Sequence, residues 1–335
     1  MTDQEPSGKK SPSSGKSSPR TVASSQNGDI PALEPDTVEL SDDDSAIDAA
    51  STASSTTSLA SSIAKYRMEN GRTYHAYKEG SYHLPNDEIE NERLAGVDTP
   101  LKRVLDAGCG TGAWAMDLAD EHPETEVIGV DLSPIQPTLV PPNATFLVDD
   151  VEAEWTYSEP MDLIYLRFLV GSISDWDKLL GQAFQNLSPG GWVETADAVY
   201  PLACDDGTVT EDQAVYKWGN LMRDGAAKFP GRSLDTSMEL KQKMLDQGFT
   251  NVTEKWYKWP MNGWPRDPKF KDIGGWVLEN VLSGLSGLSM ALFTRLLGWT
   301  REEVELFLID VRKDMRNRNI HGYWRILVVS GQKPE

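Results

Sequence analysis

Val104-Leu105-Asp106-Ala107-Gly108-Cys109-Gly110-Thr111-Gly112-Ala113 decides the reading of this chain. A short apolar run takes up a carboxylate, three glycines follow at alternate positions, and a helical stretch, Ala113–Glu121, begins at once. A strand turning tightly into a helix has this form. Glycines there permit the turn and let a ligand approach the main chain with no Cβ in the way. The spacing alone leaves alternatives open. Gly108-x-Gly110-x-x-Ala113 also satisfies the dinucleotide-binding fingerprint, and a turn that binds nothing would use the same glycines.

Outward from this stretch, short apolar runs alternate with helical ones, the signature of a parallel sheet. Val104-Leu105, Val127–Val130, Thr145–Val148, Asp162–Leu166 and Trp192–Thr195 read as the first five strands, with helices over Ala113–Glu121 and Trp176–Asn186. Strands so continuously apolar are covered on both faces. Met238–Gln247 then reads as a helix closed by Gly248, and Val252–Trp259 as a strand. Leu278, Leu282, Leu285, Leu288, Leu292 and Leu296 mark one further helix, with core as its plain reading and a lid over a pocket or a partner groove as the alternative. Thr300 and Glu303 open another as a capping box, and Trp324–Val329 is the last strand. The expected fold is α/β: a Rossmann-like, seven-stranded, mostly parallel sheet with helices on both faces and a helical insertion before the last strand.

Carboxylates around the glycine turn narrow the chemistry. Asp106 lies at the carboxyl end of the first strand, where ligands bind in open α/β sheets. It would repel a pyrophosphate and welcome an ammonium group, which disfavours a nicotinamide-dependent oxidoreductase. S-adenosyl-L-methionine carries an ammonium and a sulfonium and has no phosphate. Asp131 closes the second strand, where a carboxylate can accept from both ribose hydroxyls, and Asp150 follows the third, with the Val151 amide, where it could accept from an adenine amino group. Glu194, read as the end of the fifth strand, is a fourth acidic group. Arg167 after the fourth strand needs a partner, either an Asp or Glu in a salt bridge or the ligand itself.

In the order of these motifs the chain resembles the class I S-adenosylmethionine-dependent methyltransferases, and more narrowly the fungal LaeA-type methyltransferases associated with velvet regulators and secondary-metabolite gene clusters. The resemblance also rests on Gly71–Tyr77, Tyr82–Glu88, Glu92-Arg93-Leu94, Asp162–Arg167, Leu187–Glu194 and Ile320-His321-Gly322-Tyr323, and covers residues 63–335. It implies donor contacts at Asp106, Gly108, Cys109, Gly110, Gly112, Asp131, Leu132, Asp150 and Val151, with Arg167 close to the transferable methyl. Tyr77, Tyr82, His83 and His321 would face the substrate. Cys109 stands where the family often has Thr. It further implies a methyltransferase domain over 63–335, made of an N-terminal helical cap (63–99), a donor-binding core (100–200), a helical lid and substrate region with one strand (201–319) and a final strand (320–335). The implied acceptor is a small molecule or a protein side chain, and velvet-family regulators are implied partners, with a scaffold that binds the donor but acts through them as the second reading.

Composition sets the remaining bounds. The first sixty residues hold ten Asp/Glu against four Lys/Arg, are rich in Ser and Thr and contain no aromatic residue, so residues 1–62 are expected to be a disordered acidic tail. Within it, Ser11-Pro12 and Ser18-Pro19 read first as parts of a solvated linker. The whole chain carries a net charge of −20, which argues against direct grip on nucleic acid or an anionic membrane. Two cysteines and the absence of an apolar run after Lys9-Lys10 suit a cytoplasmic or nuclear setting. The four histidines, His75, His83, His122 and His321, show no Ser-His-Asp, Cys-His or zinc spacing, so no catalytic base and no metal site is assigned.

Overall fold

The computed structural model describes residues 31–36, 67–69, 72–74 and 101–335. Its centre is one seven-stranded sheet. The strands are β1 (Arg103–Ala107), β2 (Glu126–Asp131), β3 (Ala144–Val148), β4 (Met161–Arg167), β5 (Leu187–Ala203), β6 (Thr250–Pro260) and β7 (Tyr323–Gln332). Their spatial order is 3-2-1-4-5-7-6. β1 to β5 pair in parallel, and β7 enters antiparallel between β5 and β6. The doubly wound dinucleotide fold runs 3-2-1-4-5-6. The inserted last strand therefore separates this sheet from that arrangement, as a mostly parallel Rossmann-like sheet.

Val104, Leu105 and Ala107 of β1 are fully buried, as the continuous apolar run requires for a central strand covered on both sides. Helix α1 (Ala113–Glu121) packs its Trp114 and Leu118 against β1, β2 and β4, and α2 (Trp176–Asn186) buries Leu179, Leu180 and Ala183 on the other main cluster. Asp175 caps α2 by accepting from the Lys178 amide. A second apolar cluster lies beyond the far part of β5 and β7. It gathers α3 (Ala214–Ala226), α5 (Pro268–Leu296) and α6 (Arg301–Arg316), while α4 (Leu240–Asp246) follows a 3-10 turn at Leu234–Glu239 and joins the first cluster. Both halves of the capping box at Thr300 and Glu303 are formed.

α5 shows how a leucine stripe divides its work. Leu285 is fully buried in the second cluster, whereas Leu288 is half exposed. By length and composition alone α5 could cross a membrane, its most apolar window having a mean hydropathy of 1.3. Here Val277, Leu285 and Phe293 sit in a core shared with α3 and α6, which gives the helix a protein environment on that face.

Two spans before the sheet contain a few described residues. Residues 31–36 fall within the stretch expected to stay apart as a tail, yet they lie against the chain before α5. Pro35 bridges Pro265 in antiparallel register, Arg266 donates its amide to Glu34, and Lys271 pairs with Asp36. Prolines pre-set the extended backbone such a bridge needs, and two ion pairs accompany it. In the span expected to be a helical cap, the described residues are two short antiparallel strands, Arg67–Glu69 and Arg72–Tyr74. The rest of that span, with Tyr77, Tyr82 and His83, lies outside the described residues.

Candidate functional site

The glycine turn leaves β1 at its carboxyl end and is stitched to the neighbouring strand. The amides of Gly108 and Cys109 both donate to the Val130 carbonyl, at 2.7 and 2.9 Å. Gly108, Gly110 and Gly112 all have positive φ, a backbone state that costs other residues dearly. The three positions differ in what surrounds them. A Cβ on Gly108 would lie 2.5 Å from the Leu169 side chain and one on Gly112 2.5 Å from Phe146, so these two glycines permit close packing. A Cβ on Gly110 would meet nothing within 4 Å, so there the backbone faces open space. α1 starts from Gly112 with no side-chain cap. The turn thus offers bare main chain and a helix end to whatever lies above it.

Asp131 holds this turn from β2. Its carboxylate accepts from the Gly110 amide at 2.9 Å through one oxygen and from the Ser133 amide at 2.9 Å through the other. Each oxygen keeps a further lone pair for a hydroxyl donor. Gln136 closes the same loop by donating its side-chain amide to the Gly110 carbonyl at 2.6 Å and to Ser133. The sequence reading missed Gln136, which lies in a turn with no periodic signal. Cys109 sits beneath, its thiol pushed up to about 12 by burial and by the charges of Asp106 and Asp131. A thiol so placed is a packing residue rather than a nucleophile.

Asp106 is almost wholly buried at the floor of the crevice. Burial pushes its carboxyl up to about 7, Arg167 on β4 pulls it back and Asp131 adds to the rise. These influences place the three groups in one electrostatic neighbourhood. Asp149 donates its amide to the Asp131 carbonyl at 3.2 Å, which brings the end of β3, and Asp150 with it, to the end of β2. Asp150 is exposed and accepts from the Glu152 amide at 2.9 Å. Val151 is half-buried against the first cluster. Leu132 is 71% exposed and Val148 60%, so the crevice has an apolar lip at the ends of β2 and β3.

Asp106, Asp131 and Asp150, read from the sequence as one set, are therefore brought to the carboxyl ends of adjacent strands. Glu194 lies level with Asp106 through Tyr165 of β4 but does not close its strand as read. β5 does not end near it but runs on to Ala203, and Glu194 is buried in mid-strand, accepting from the Ser330 hydroxyl of β7 at 3.2 Å. His321 also has another office. Its ring pairs with Asp206 and lies 4.9 Å from the Trp264 ring, while its amide donates to the Thr208 hydroxyl. Against the opposing effect of burial, the bonds that Asp206 receives from His321, Cys204 and Thr208 hold that acid down to about 2 and make His321 part of the turn after β5. Arg167 lies half-buried with its guanidinium 5.8 Å from the Tyr165 ring centre.

The sequence reading passed over Asp197 as well. It follows two residues after Thr195, inside the continuation of β5, and is only 2% exposed. A charged residue in a buried apolar strand is the signal that could have found it.

The comparisons agree in direction. The family described as "Methyltransferase domain" matches residues 81–254. The chain is similar to "Methyltransferase pytC" of Aspergillus terreus, 36% identical over 318 residues that cover 90% of this chain and 97% of that protein. It is 36% identical to "Secondary metabolism regulator LAE1" of Cochliobolus heterostrophus, over 80% of this chain and 95% of the relative. A third relative is "Protein-methionine methyltransferase laeA" of Emericella nidulans, at 32% identity over 81% of this chain and 77% of that one.

Proposed function

The chain belongs to the methyltransferase-domain family, in its fungal LaeA-type branch, and from that premise we propose that it transfers a methyl group from S-adenosyl-L-methionine to an acceptor in fungal secondary metabolism or its regulation. The observation that carries the reading is the convergence of Asp106 and Asp131 on an open glycine turn, a pattern that suits a cationic nucleoside and repels a pyrophosphate. When bound, the donor supplies a strongly electrophilic methyl on sulfur. What remains for the chain is to hold and orient.

In this reading Asp131 accepts from the ribose hydroxyls with its remaining lone pairs. The Gly110 backbone lets the ligand lie close, and Asp150 and the Val151 amide meet the adenine beside the apolar lip at Leu132. Asp106 takes the ammonium end. Its carboxyl, near 7 when the crevice holds no cation, sheds its proton as the ammonium arrives. Arg167 is the counter-charge that pulls the Asp106 carboxyl part of the way back toward ionisation without offsetting burial.

The sign of the pH dependence follows. A cationic ligand selects the ionised form of Asp106, so below about pH 7 binding must first remove a proton. Affinity for S-adenosylhomocysteine, which keeps the ammonium, should fall as pH drops from 8 to 5, by up to about tenfold per unit, with protons released on binding near pH 6. Asp106→Asn should flatten that profile. Calorimetry in two buffers of different ionisation enthalpy reads both effects, and a profile in the wild type as flat as in the variant would remove Asp106 from the ammonium site.

The names of relatives called secondary metabolism regulators support a regulatory role, and we propose as a second reading a scaffold that binds the donor and acts with velvet-family partners, in the cytoplasm or the nucleus. Incubation with methyl-labelled donor and a fractionated cell extract separates the two. Label in one fraction of small molecules or protein supports transfer. Donor binding with no labelled fraction and a stably co-purifying protein favours the scaffold. Absence of donor binding would end both.

A further inference from the structure

The segment after β4 has two sides. Leu169 packs on the glycine turn, where its side chain would touch a Cβ on Gly108. Its neighbours Phe168, Val170 and Gly171 wall a cavity of about 380 Å3. That volume lies within the range of small-ligand pockets. The cavity and the donor crevice thus share one thin partition. Phe168 holds a left-handed backbone, φ 52°, at the rim; the residue is 43% exposed and its ring lies 5.8 Å from that of Trp259. Strain of that kind in a non-glycine residue is kept where the surroundings impose it, commonly beside a site.

The remaining walls are mostly apolar, with Trp218, Trp259, Trp324 and Tyr200 as rings and Leu288 and Leu292 from the α5 stripe, while Ser172 and Asn280 add two neutral polar groups. Among them stands one carboxyl group. The Val170 and Leu169 amides both bear on the Asp197 carboxyl, Val170 donating to Oδ1 at 3.1 Å, whereas Oδ2 is buried and makes no hydrogen bond of ordinary geometry among the described residues. A buried polar atom left unpaired is costly, so its persistence on a cavity wall points to a ligand that completes it.

Resting on the methyltransferase reading, we propose that this cavity is the acceptor pocket and that Asp197 anchors in it a hydroxyl group of a planar aromatic acceptor. Flat rings fit walls built of indoles and phenyls better than a flexible polar chain does. The choice of a hydroxyl over an ammonium follows from the surroundings. Burial pushes the Asp197 carboxyl up to about 8 against the opposing pull of the Val170 and Leu169 amides, so at neutral pH the group carries its proton. A protonated carboxyl offers one donor and one acceptor at the same place, as a hydroxyl does. A cationic amine would bring a desolvated charge with no ionised partner into a mostly apolar chamber.

The test uses the full chain with saturating S-adenosylhomocysteine and three probes: 2-naphthol, naphthalene and tryptamine. Binding is read by isothermal titration calorimetry. The wild type should bind 2-naphthol at least tenfold more tightly than naphthalene, and tryptamine more weakly than 2-naphthol. Asp197→Leu should bring the two naphthalenes within about twofold of each other, Asp197→Asn should keep most of the preference, and Val281→Trp, at a half-buried wall position, should weaken both. All three variants should bind S-adenosylhomocysteine as the wild type does, which checks folding and keeps the donor site out of the comparison. Equal preference in wild type and Asp197→Leu, tryptamine as the tightest probe, or no binding of any probe by the wild type would overturn the pocket assignment. Loss of S-adenosylhomocysteine binding by the wild type would instead overturn the methyltransferase reading.

Discussion

Asp131→Ala should weaken S-adenosylmethionine binding by roughly 2–4 kcal/mol, about 30- to 1000-fold. Each charged hydrogen bond to a ribose hydroxyl contributes about 1.5–3 kcal/mol, less partial replacement by water. The geometry argues for the upper part of that range. The carboxylate also accepts from the Gly110 and Ser133 amides, so its removal releases the turn that presents bare backbone to the ligand. Asp131→Asn separates the two contributions. The amide oxygen can still accept from one of the two amides, but the charge is gone, so its loss should fall between that of alanine and the wild type. Calorimetry with the donor and a thermal melt of each variant check this. A melting temperature lowered as much as the affinity would make the effect one of folding, and unchanged affinity would mean that the ribose lies elsewhere.

How much of this was written legibly in the chain depends on what signal each part had. The central strands were plain, because an apolar run closed by glycine or aspartate marks both strand and end, and Ala113–Glu121 and Trp176–Asn186 emerge with the boundaries read. α3 had no such mark. It begins after Gln213 with no side-chain cap and contains Gly219 and Gly225, both unfavourable inside a helix. Packing decides it instead: Val215, Trp218 and Met222 are buried on one face. The start of α5 was legible and went unread, since Asp267 caps the helix and Pro268 occupies its first turn.

The site divides in the same way. Its donor side was readable because each aspartate sits at a strand end that the glycine turn already located. The β5 side was misread for one physical reason. The strand was stopped at Thr195, so Glu194 stood as a terminal carboxylate and Asp197 fell outside. β5 in fact pairs with β7 from Trp192 onward to Ala203, and a strand prolonged beyond its parallel neighbour β4 is what carries Asp197 past Arg167 to the cavity. Residue patterning along one strand cannot show that extension, because it depends on the antiparallel partner that returns from the far end of the sequence.

Trp218→Ala should be the most damaging single truncation in the second cluster. Trp218 is 1% exposed, and its indole N–H donates to the Ser289 hydroxyl at 2.8 Å, which itself donates to the Leu285 carbonyl at 2.7 Å. This relay joins α3 to the middle of α5. Truncating a buried tryptophan costs about 3–5 kcal/mol, and at roughly 2–4 °C per kcal/mol the melting temperature should drop by about 6–20 °C. Trp218→Phe separates ring from relay: it keeps most of the packing and loses the indole donor, for about 1–2 kcal/mol. Ser289 remains bonded to Leu285 in that variant, so no hydroxyl is stranded. The same ring lines the proposed acceptor pocket, which gives the pair a second readout. With alanine the cavity gains the volume of an indole, and 2-naphthol should bind more weakly even at temperatures where the variant is folded. With phenylalanine affinity should stay within about threefold, the aromatic wall being kept. If alanine and phenylalanine lowered stability equally, the hydrogen-bond relay rather than the buried ring would be what holds α3 against α5.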